Sequence, residues 1–476
     1  MFSGLFIVCL LPTFISALPT HSKIPVSRNA LPITRQVARP KSMVKRWSGG
    51  EIGGLNVSMD GAPLLTAYTV PVDINGQIFE LILDTGSADL WVPTTNFTCY
   101  NASEAIVPLS QCAFGGSYLN TSSLLPLSDD IGPHHFNQTY GSGDTIYGDA
   151  GLANVTIGGI TVENQEIVAG AGGYWAHADG YNDGIIGFAG PLTEGMFAGS
   201  IGEASQDSAG RRVFYENWIM RAVREKAFEP YFSLTLNRPT QQQEMSTNAT
   251  KDLGQLTLGG LPDIPLTNTT VTVPNLNTPL PKKIAPASSE GNTTTTSDAI
   301  NATVITNVSE CYIPQNCTVG QPQGAATWWA VPVTSWNFPG SEKLNSSAIS
   351  DAVTILDSGT GLMTLSNDVA AGFAAAFEPP AVFNSTYSFY EVECNATIPD
   401  FSVTIANVTF TVDKKDLIFA GFSEFLEPGK CASSIVGSAA IDDLQLNLLG
   451  DRFLANVVAT HNLETQEITI TQRQSY

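Results

Sequence analysis

Ile82-Leu83-Asp84-Thr85-Gly86-Ser87 recurs in the second half of the chain as Ile355-Leu356-Asp357-Ser358-Gly359-Thr360. Each copy ends an apolar run on a carboxylate and continues through small hydroxyl residues around a glycine, the pattern of a strand entering a tight turn that presents the acid. A hydrophobic pair plus glycine follows each: Ile185-Ile186-Gly187 places its glycine 103 residues after Asp84, and Leu448-Leu449-Gly450 places its glycine 93 residues after Asp357. One Asp-Thr/Ser-Gly tripeptide would be an ordinary turn. Two copies, each with its partner at similar spacing, imply two related lobes, each contributing one acid.

Around the repeat the chain reads as β-rich. Val70-Pro71-Val72-Asp73-Ile74 and Gln77-Ile78-Phe79-Glu80-Leu81-Ile82-Leu83 flank Asn75-Gly76, whose residue types supply the positive φ of a two-residue hairpin turn. Strand alternation recurs at Gln255–Leu258 and Glu467–Thr471, and helices are plausible at Tyr215–Lys226 and Val369–Phe377. Residues 262–325, rich in Thr, Asn, Pro and Ser, read largely as a glycosylated surface insertion.

The chain has 476 residues, 22 basic and 44 acidic, a net charge of −22, with 43% hydrophobic and 14% charged residues. That composition supports a large core and argues against nucleic acid or anionic membrane as a partner. Leu5–Leu11, followed by Phe14-Ile15-Ser16-Ala17, reads as a signal peptide covering residues 1–17, although no Lys or Arg precedes the apolar block. Residues 18–46 carry seven basic residues, no acidic ones, and end in Lys45-Arg46. A cationic leader on an acidic body suggests a propeptide held by charge pairs and loosened when acid protonates the carboxylates. Sixteen Asn-X-Ser/Thr sequons fit a secretory glycoprotein. Of seven cysteines, Cys9 leaves with the signal; local spacing of the other six suggests Cys99–Cys112, Cys311–Cys317 and Cys394–Cys431. No Cys-X-X-Cys occurs, which disfavours a zinc site; no metal and no cofactor are expected. No run of 18 apolar residues and no GPI-type tail is seen, so no membrane anchor is expected.

These features resemble the pepsin-like aspartic proteases over nearly the whole mature chain. Asp84-Thr85-Gly86-Ser87-Ala88-Asp89-Leu90-Trp91-Val92-Pro93 is similar to the family's first catalytic motif and Asp357-Ser358-Gly359-Thr360-Gly361 to its second. Tyr140-Gly141-Ser142-Gly143 resembles the flap tip, and Asp183–Ala189 with Leu449–Phe453 the later element of each lobe. The resemblance implies an all-β, bilobal fold with a central cleft and a flap hairpin, an N-terminal lobe over 47–240 and a C-terminal lobe over 241–476. It implies Asp84 and Asp357 as catalytic acids. Ser87 and Thr360 would bond the outer carboxylate oxygens, Thr85 and Ser358 would tie the two loops together, and Gly86 and Gly359 would donate N–H bonds. Tyr140 would order substrate, with Trp91 as its buttress. Some fungal relatives carry Asp where this flap has Ser142. Cys311–Cys317 lies inside the insertion and not just before the second motif as in pepsin. His461 is expected to be structural.

The function implied is a secreted, acid-active endopeptidase made as a zymogen, monomeric and acting on protein or peptide substrates, with an acidic vacuole-like compartment as the alternative location. Two other readings compete. A non-catalytic binding member of the fold would usually lack an Asp or a motif glycine, and both motifs are intact. A two-carboxylate glycosidase leaves Tyr140-Gly141-Ser142-Gly143 and the basic leader unexplained. Serine and metal hydrolases are disfavoured, because neither Gly-X-Ser-X-Gly nor His-Glu-X-X-His occurs.

Overall fold

A computed structural model describes residues 54–276 and 328–476, apart from positions 66, 130, 176, 178, 209–210, 344–351 and 439–445. The signal and leader segments and the Cys311–Cys317 pair lie outside the described residues. The described strands fall into four sheets, of which the largest has 14 strands.

Both halves are built around the same small unit. In the first, strand Gln77–Asp84 runs parallel to Ile185–Gly187, with Leu83 opposite Ile186 and Asp84 opposite Gly187, and Leu90–Tyr100 pairs antiparallel on the other side of Ile185–Gly187. In the second, Val353–Leu356 runs parallel to Leu446–Leu449, with Leu356 opposite Leu449, and Met363–Leu365 pairs antiparallel beyond it. The two hydrophobic-pair-plus-glycine elements are therefore the middle strands that brace the acid-bearing turns. Ile185, Ile186 and Leu449 are buried and Leu448 is half-buried, which is why each element reads as an apolar pair without alternation.

The hairpin at Asn75-Gly76 forms with Ile74 opposite Gln77, and both turn residues have positive φ, 53° and 88°. The helices are shorter than or offset from their sequence reading, at Trp218–Arg224 and Asn367–Ala375. Asn217 caps the first by accepting from the Met220 N–H, which fixes its start. The stretch read as an insertion opens with a sheet strand, Leu266–Pro274, whose β-branched residues pair with Glu467–Arg473; residues 277–327 lie outside the described residues. The large sheet is continuous between the halves, because Tyr231–Leu236 pairs with Val457–Asn462 from the chain's C-terminal end. Disulfides join Cys99 to Cys112 and Cys394 to Cys431.

The two acid-bearing turns are locked by crossed hydrogen bonds. Thr85 Oγ1 donates to the Leu356 carbonyl (2.8 Å) and accepts from the Ser358 N–H (3.0 Å). Ser358 Oγ donates to the Leu83 carbonyl (2.6 Å) and accepts from the Thr85 N–H (3.2 Å). Both hydroxyl residues are fully buried, so no water can replace these partners.

Behind the first turn, Asp89 is buried and accepts from the Gly195 N–H (2.8 Å) and the Tyr215 hydroxyl (3.0 Å). Burial is the largest influence on its carboxyl and pushes its pKa up to about 7. Glu194 is buried beside it, and burial, then the Asp89 charge, pushes its carboxyl well above the usual range. Arg212 sits close enough to both carboxyls to favour their charged forms, but burial outweighs it.

Two outcomes follow from this packing. Thr85→Val should destabilise the protein by about 2–4 kcal/mol, since a carbonyl and an N–H lose their buried partner; urea unfolding measures it, and an unchanged midpoint would show the crossed bonds to be idle. Asp89 holds its proton more tightly folded than unfolded, so its contribution is present in acid and lost as pH rises from about 4 through about 7. Asp89→Asn should therefore flatten the decline of Tm over that interval, and an undiminished decline would count against Asp89 as a source of it.

Candidate active site

Asp84 and Asp357 stand at the ends of their strands, facing one another across the junction of the halves. Their spacing is visible at the motif glycines. A Cβ on Gly86 would lie 2.5 Å from Asp357 Oδ1, and one on Gly359 would lie 2.5 Å from Asp84 Oδ1. Each glycine is the floor against which the opposite carboxyl rests, so any side chain there would push the acids apart.

Each acid is held by its own turn. Asp84 Oδ1 accepts from the Gly86 N–H (2.7 Å) and Oδ2 from Ser87 Oγ (2.5 Å). Asp357 Oδ1 accepts from the Gly359 N–H (2.9 Å) and Oδ2 from Thr360 Oγ1 (2.6 Å). The two carboxyls stand close enough for each to oppose the other's ionisation. Burial first, and the Asp84 charge second, drive Asp357 up to about 8. Such a pair keeps one proton between its members, and that proton belongs to the pair.

Further bonds tie each acid-bearing turn to its neighbours. The Phe188 N–H donates to the Asp84 carbonyl (2.7 Å), and the Asp357 N–H donates to the Leu449 carbonyl (3.1 Å). Trp328 Nε1 donates to the Gly86 carbonyl (2.9 Å) and Trp329 Nε1 to the Phe188 carbonyl (2.8 Å), so two adjacent indoles of the second half brace the first turn. Asp451 lies buried beneath the pair, its N–H bonded to the Thr360 carbonyl (2.8 Å). Burial, then the Asp357 charge, lifts its carboxyl well above the usual range.

Tyr140, Gly141, Ser142 and Gly143 form the turn between strands His134–Thr139 and Thr145–Ile157. The Gly143 N–H donates to the Tyr140 carbonyl (2.9 Å), and Gly143 takes φ 91°, a conformation that favours glycine. Tyr140 is half-buried, and its hydroxyl accepts from Trp91 Nε1 (2.9 Å). Burial, then the Asp89 and Asp84 charges, keeps that hydroxyl protonated. Trp91 itself is fully buried and packs edge-on against Trp175 and Phe114.

The structure thus gathers both acids, the six other motif residues and the Trp91–Tyr140 pair into one site. His461 lies elsewhere, buried and stacked on Phe232 at 4.5 Å. Three contributors escaped sequence reasoning: Trp328, Trp329 and the buried role of Asp89. The Trp328-Trp329 doublet was a usable signal, since adjacent tryptophans are rare. Among the described residues, no three His, Cys, Asp or Glu side chains gather so as to hold a metal ion.

Comparison with known proteins agrees with this geometry. The family model for eukaryotic aspartyl proteases matches residues 67–318 and 316–473. A probable aspartic-type endopeptidase of Aspergillus fumigatus is 28% identical over 402 residues, 84% of this chain and 77% of the relative. Penicillopepsin-1 of Penicillium roqueforti is 24% identical over 392 residues, covering 81% and 73%. Secreted aspartic protease 3 of Candida albicans is 24% identical over 415 residues, covering 85% and 79%. The crystal structure of an aspartic proteinase from Irpex lacteus superposes with a TM-score of 0.58 at 16% identity, covering 88% of this chain and 97% of that one, a likeness of fold. With two matched units spanning most of its length and an acid at the head of each, the chain belongs to the eukaryotic aspartyl protease family, as an aspartic-type endopeptidase.

Proposed function

We propose that this endopeptidase works in acid with Asp84 and Asp357 as its catalytic pair, and that it is exported after synthesis as a zymogen. The observation that carries the site assignment is the mutual approach of two buried, hydrogen-bonded carboxyls, each resting on the other motif's glycine. Two carboxyls that share one proton supply a base and an acid in one place, the known behaviour of aspartic-protease dyads. The ionised member takes a proton from a water between them, and the water oxygen attacks the peptide carbonyl carbon. The protonated member donates to the carbonyl oxygen, leaving a tetrahedral gem-diol. Collapse of the diol breaks the C–N bond, with a proton delivered to the leaving nitrogen. Ser87 and Thr360 hold the outer oxygens, which aims the inner ones at the reacting centre. Tyr140 and the flap turn would close over substrate, and the family resemblance implies large apolar residues flanking the cut bond.

Export is supported by surface chemistry. Among the eleven described sequon asparagines none is buried, so each is accessible for glycosylation. No helix among the described residues is long and apolar enough to cross a membrane. Zymogen character is supported by charge: once the seven-cation leader is removed, 15 basic residues face 44 acidic ones. We take residues 47–240 and 241–476 as the two lobes, Cys311–Cys317 as the remaining bridge, and a monomer as the active form.

Asp84→Asn and Asp357→Asn should each reduce kcat on a protein substrate at pH 3–5 by roughly 10³-fold or more, because neither acid nor base can be regenerated; wild-type turnover in either would refute the mechanism. A statine-type peptide, whose hydroxyl mimics the gem-diol, should inhibit the wild type. Retaining residues 18–46 should depress activity at pH 6 relative to the processed form. Equal rates for precursor and product at that pH would remove the leader from any inhibitory role.

A further inference from the structure

A second ionisable pair lies beside the flap, on residues the hydrolytic steps leave unused. Asp144 closes the flap turn: its carbonyl accepts from the Tyr140 N–H at 2.8 Å, and its side chain is only 1% exposed. Oδ2 of that carboxyl accepts from Ser142 Oγ on the flap and meets Nδ1 of His177 at 3.0 Å. His177 is not part of the flap hairpin; it follows the strand Ile160–Tyr174. The contacts then close on themselves. The His177 ring lies 4.9 Å from Trp175, Trp175 meets Trp91 edge-on at 5.0 Å, and Trp91 donates to the Tyr140 hydroxyl. Tyr140 is thus held at both ends, by its backbone through Asp144 and by its hydroxyl through Trp91.

We infer that His177 is a positioning residue for substrate binding: by gripping the buried Asp144 carboxylate from outside the hairpin, it fixes the root of the flap and with it the seat of Tyr140. The inward burial of Asp144 also means that this acid is spent on the flap's own geometry and is not presented to substrate. The charges around the imidazole favour the grip in acid. Asp144 faces it directly from the flap, Asp179 from its own loop, and Asp84 from the dyad. Tyr140 and Tyr174, which also feel Asp144, remain neutral. Burial lowers the pKa of the imidazole, but Asp144 and then the other two carboxylates more than offset it, so His177 stays cationic to a higher pH than a free histidine. The ionic part of the grip is present below the ordinary histidine range and is lost as pH rises through the folded value.

This inference rests on the reading of residues 140–143 as the flap, and its test separates the two. kcat and KM would be measured on a fluorogenic peptide from pH 3 to 7 for the wild type, His177→Phe, His177→Gln and Asp144→Asn, with Asp84→Asn alongside and Tm recorded for each. At pH 4 His177→Phe should raise KM roughly tenfold, the scale of one lost charge-assisted hydrogen bond, with kcat within about twofold. His177→Gln, which can still donate to Asp144, should recover most of that loss and should lack the rise in KM that the wild type shows towards pH 7. Asp144→Asn should raise KM in the same sense, which covers the case in which His177→Phe fails to fold. Wild-type KM in the soluble variants, or losses of kcat that follow Tm alone, would overturn the inference. Retained turnover in Asp84→Asn would instead overturn the dyad assignment.

Discussion

Everything at the cleft floor depends on the crossed bonds between Thr85 and Ser358. Two ionisable acids from different halves of a chain have no electrostatic reason to meet; burial and like charge both oppose it. What brings them together is neutral: two hydroxyls, each donating to a carbonyl and accepting an N–H of the opposite turn. These four bonds fix the turns first, and the glycines at 86 and 359 then let the carboxyls close to contact. The cost of holding the pair shows as a raised proton affinity at Asp357. A structure that needs one proton between two acids has thereby been made from parts that do not titrate at all.

The repeat made this much legible before any coordinates. Ile-Leu-Asp at 82–84 and 355–357 marked the acid-bearing strands, and the two hydrophobic-pair-plus-glycine elements proved to be their parallel neighbours, because a largely buried inner strand keeps its apolar pair. Asn75-Gly76 marked a hairpin because its geometry is local. What escaped was non-local or masked by composition. Leu266–Pro274 is a strand on the evidence of its β-branched residues, but its sequon at Asn268 and the Thr/Asn-rich run after it read as surface insertion. The Trp218–Arg224 helix is shorter than its apolar pattern because Asn217 caps it late. The Asp144–His177 contact joins a flap turn to a separate loop, and no spacing in the chain announces it.

The flap and the dyad are connected by more than proximity. Trp91 stands seven residues after Asp84 on the strand that follows the first acid-bearing turn, and its indole N–H reaches Tyr140. Asp89, between them, fastens the same segment to Gly195 and Tyr215. One stretch of eight residues, Asp84 to Trp91, therefore supplies an acid, the anchor of its turn and the support of the flap. A displacement of this stretch would be felt at the dyad and the flap together. Such coupling is mechanical, through packed side chains, and needs no conformational switch.

The buried titratable groups also set the conditions in which this fold is at ease. Asp89, Glu194, Asp357 and Asp451 all have carboxyls raised chiefly by burial. Each binds its proton more tightly in the folded chain, so each favours folding in acid and withdraws that favour as pH climbs through its folded value. His461 opposes them. Burial holds its imidazole down to about 3, so its neutral form is the folded one, and its contribution is complete above the usual histidine range and wanes as pH falls. Asp60 acts with His461: its burial is outweighed by Lys251 and Tyr181, the net pKa is lowered, and its contribution fades only in stronger acid. Glu80, Asp183 and Glu216, also raised chiefly by burial, join the four, so between about pH 4 and 6.5 these carboxyls pull one way and His461 the other. The balance therefore lies with mild acid, the same range in which Asp357 keeps its proton and His177 its charge, so the stability of the fold and the close approach of the two acids are served by one protonation state of the molecule.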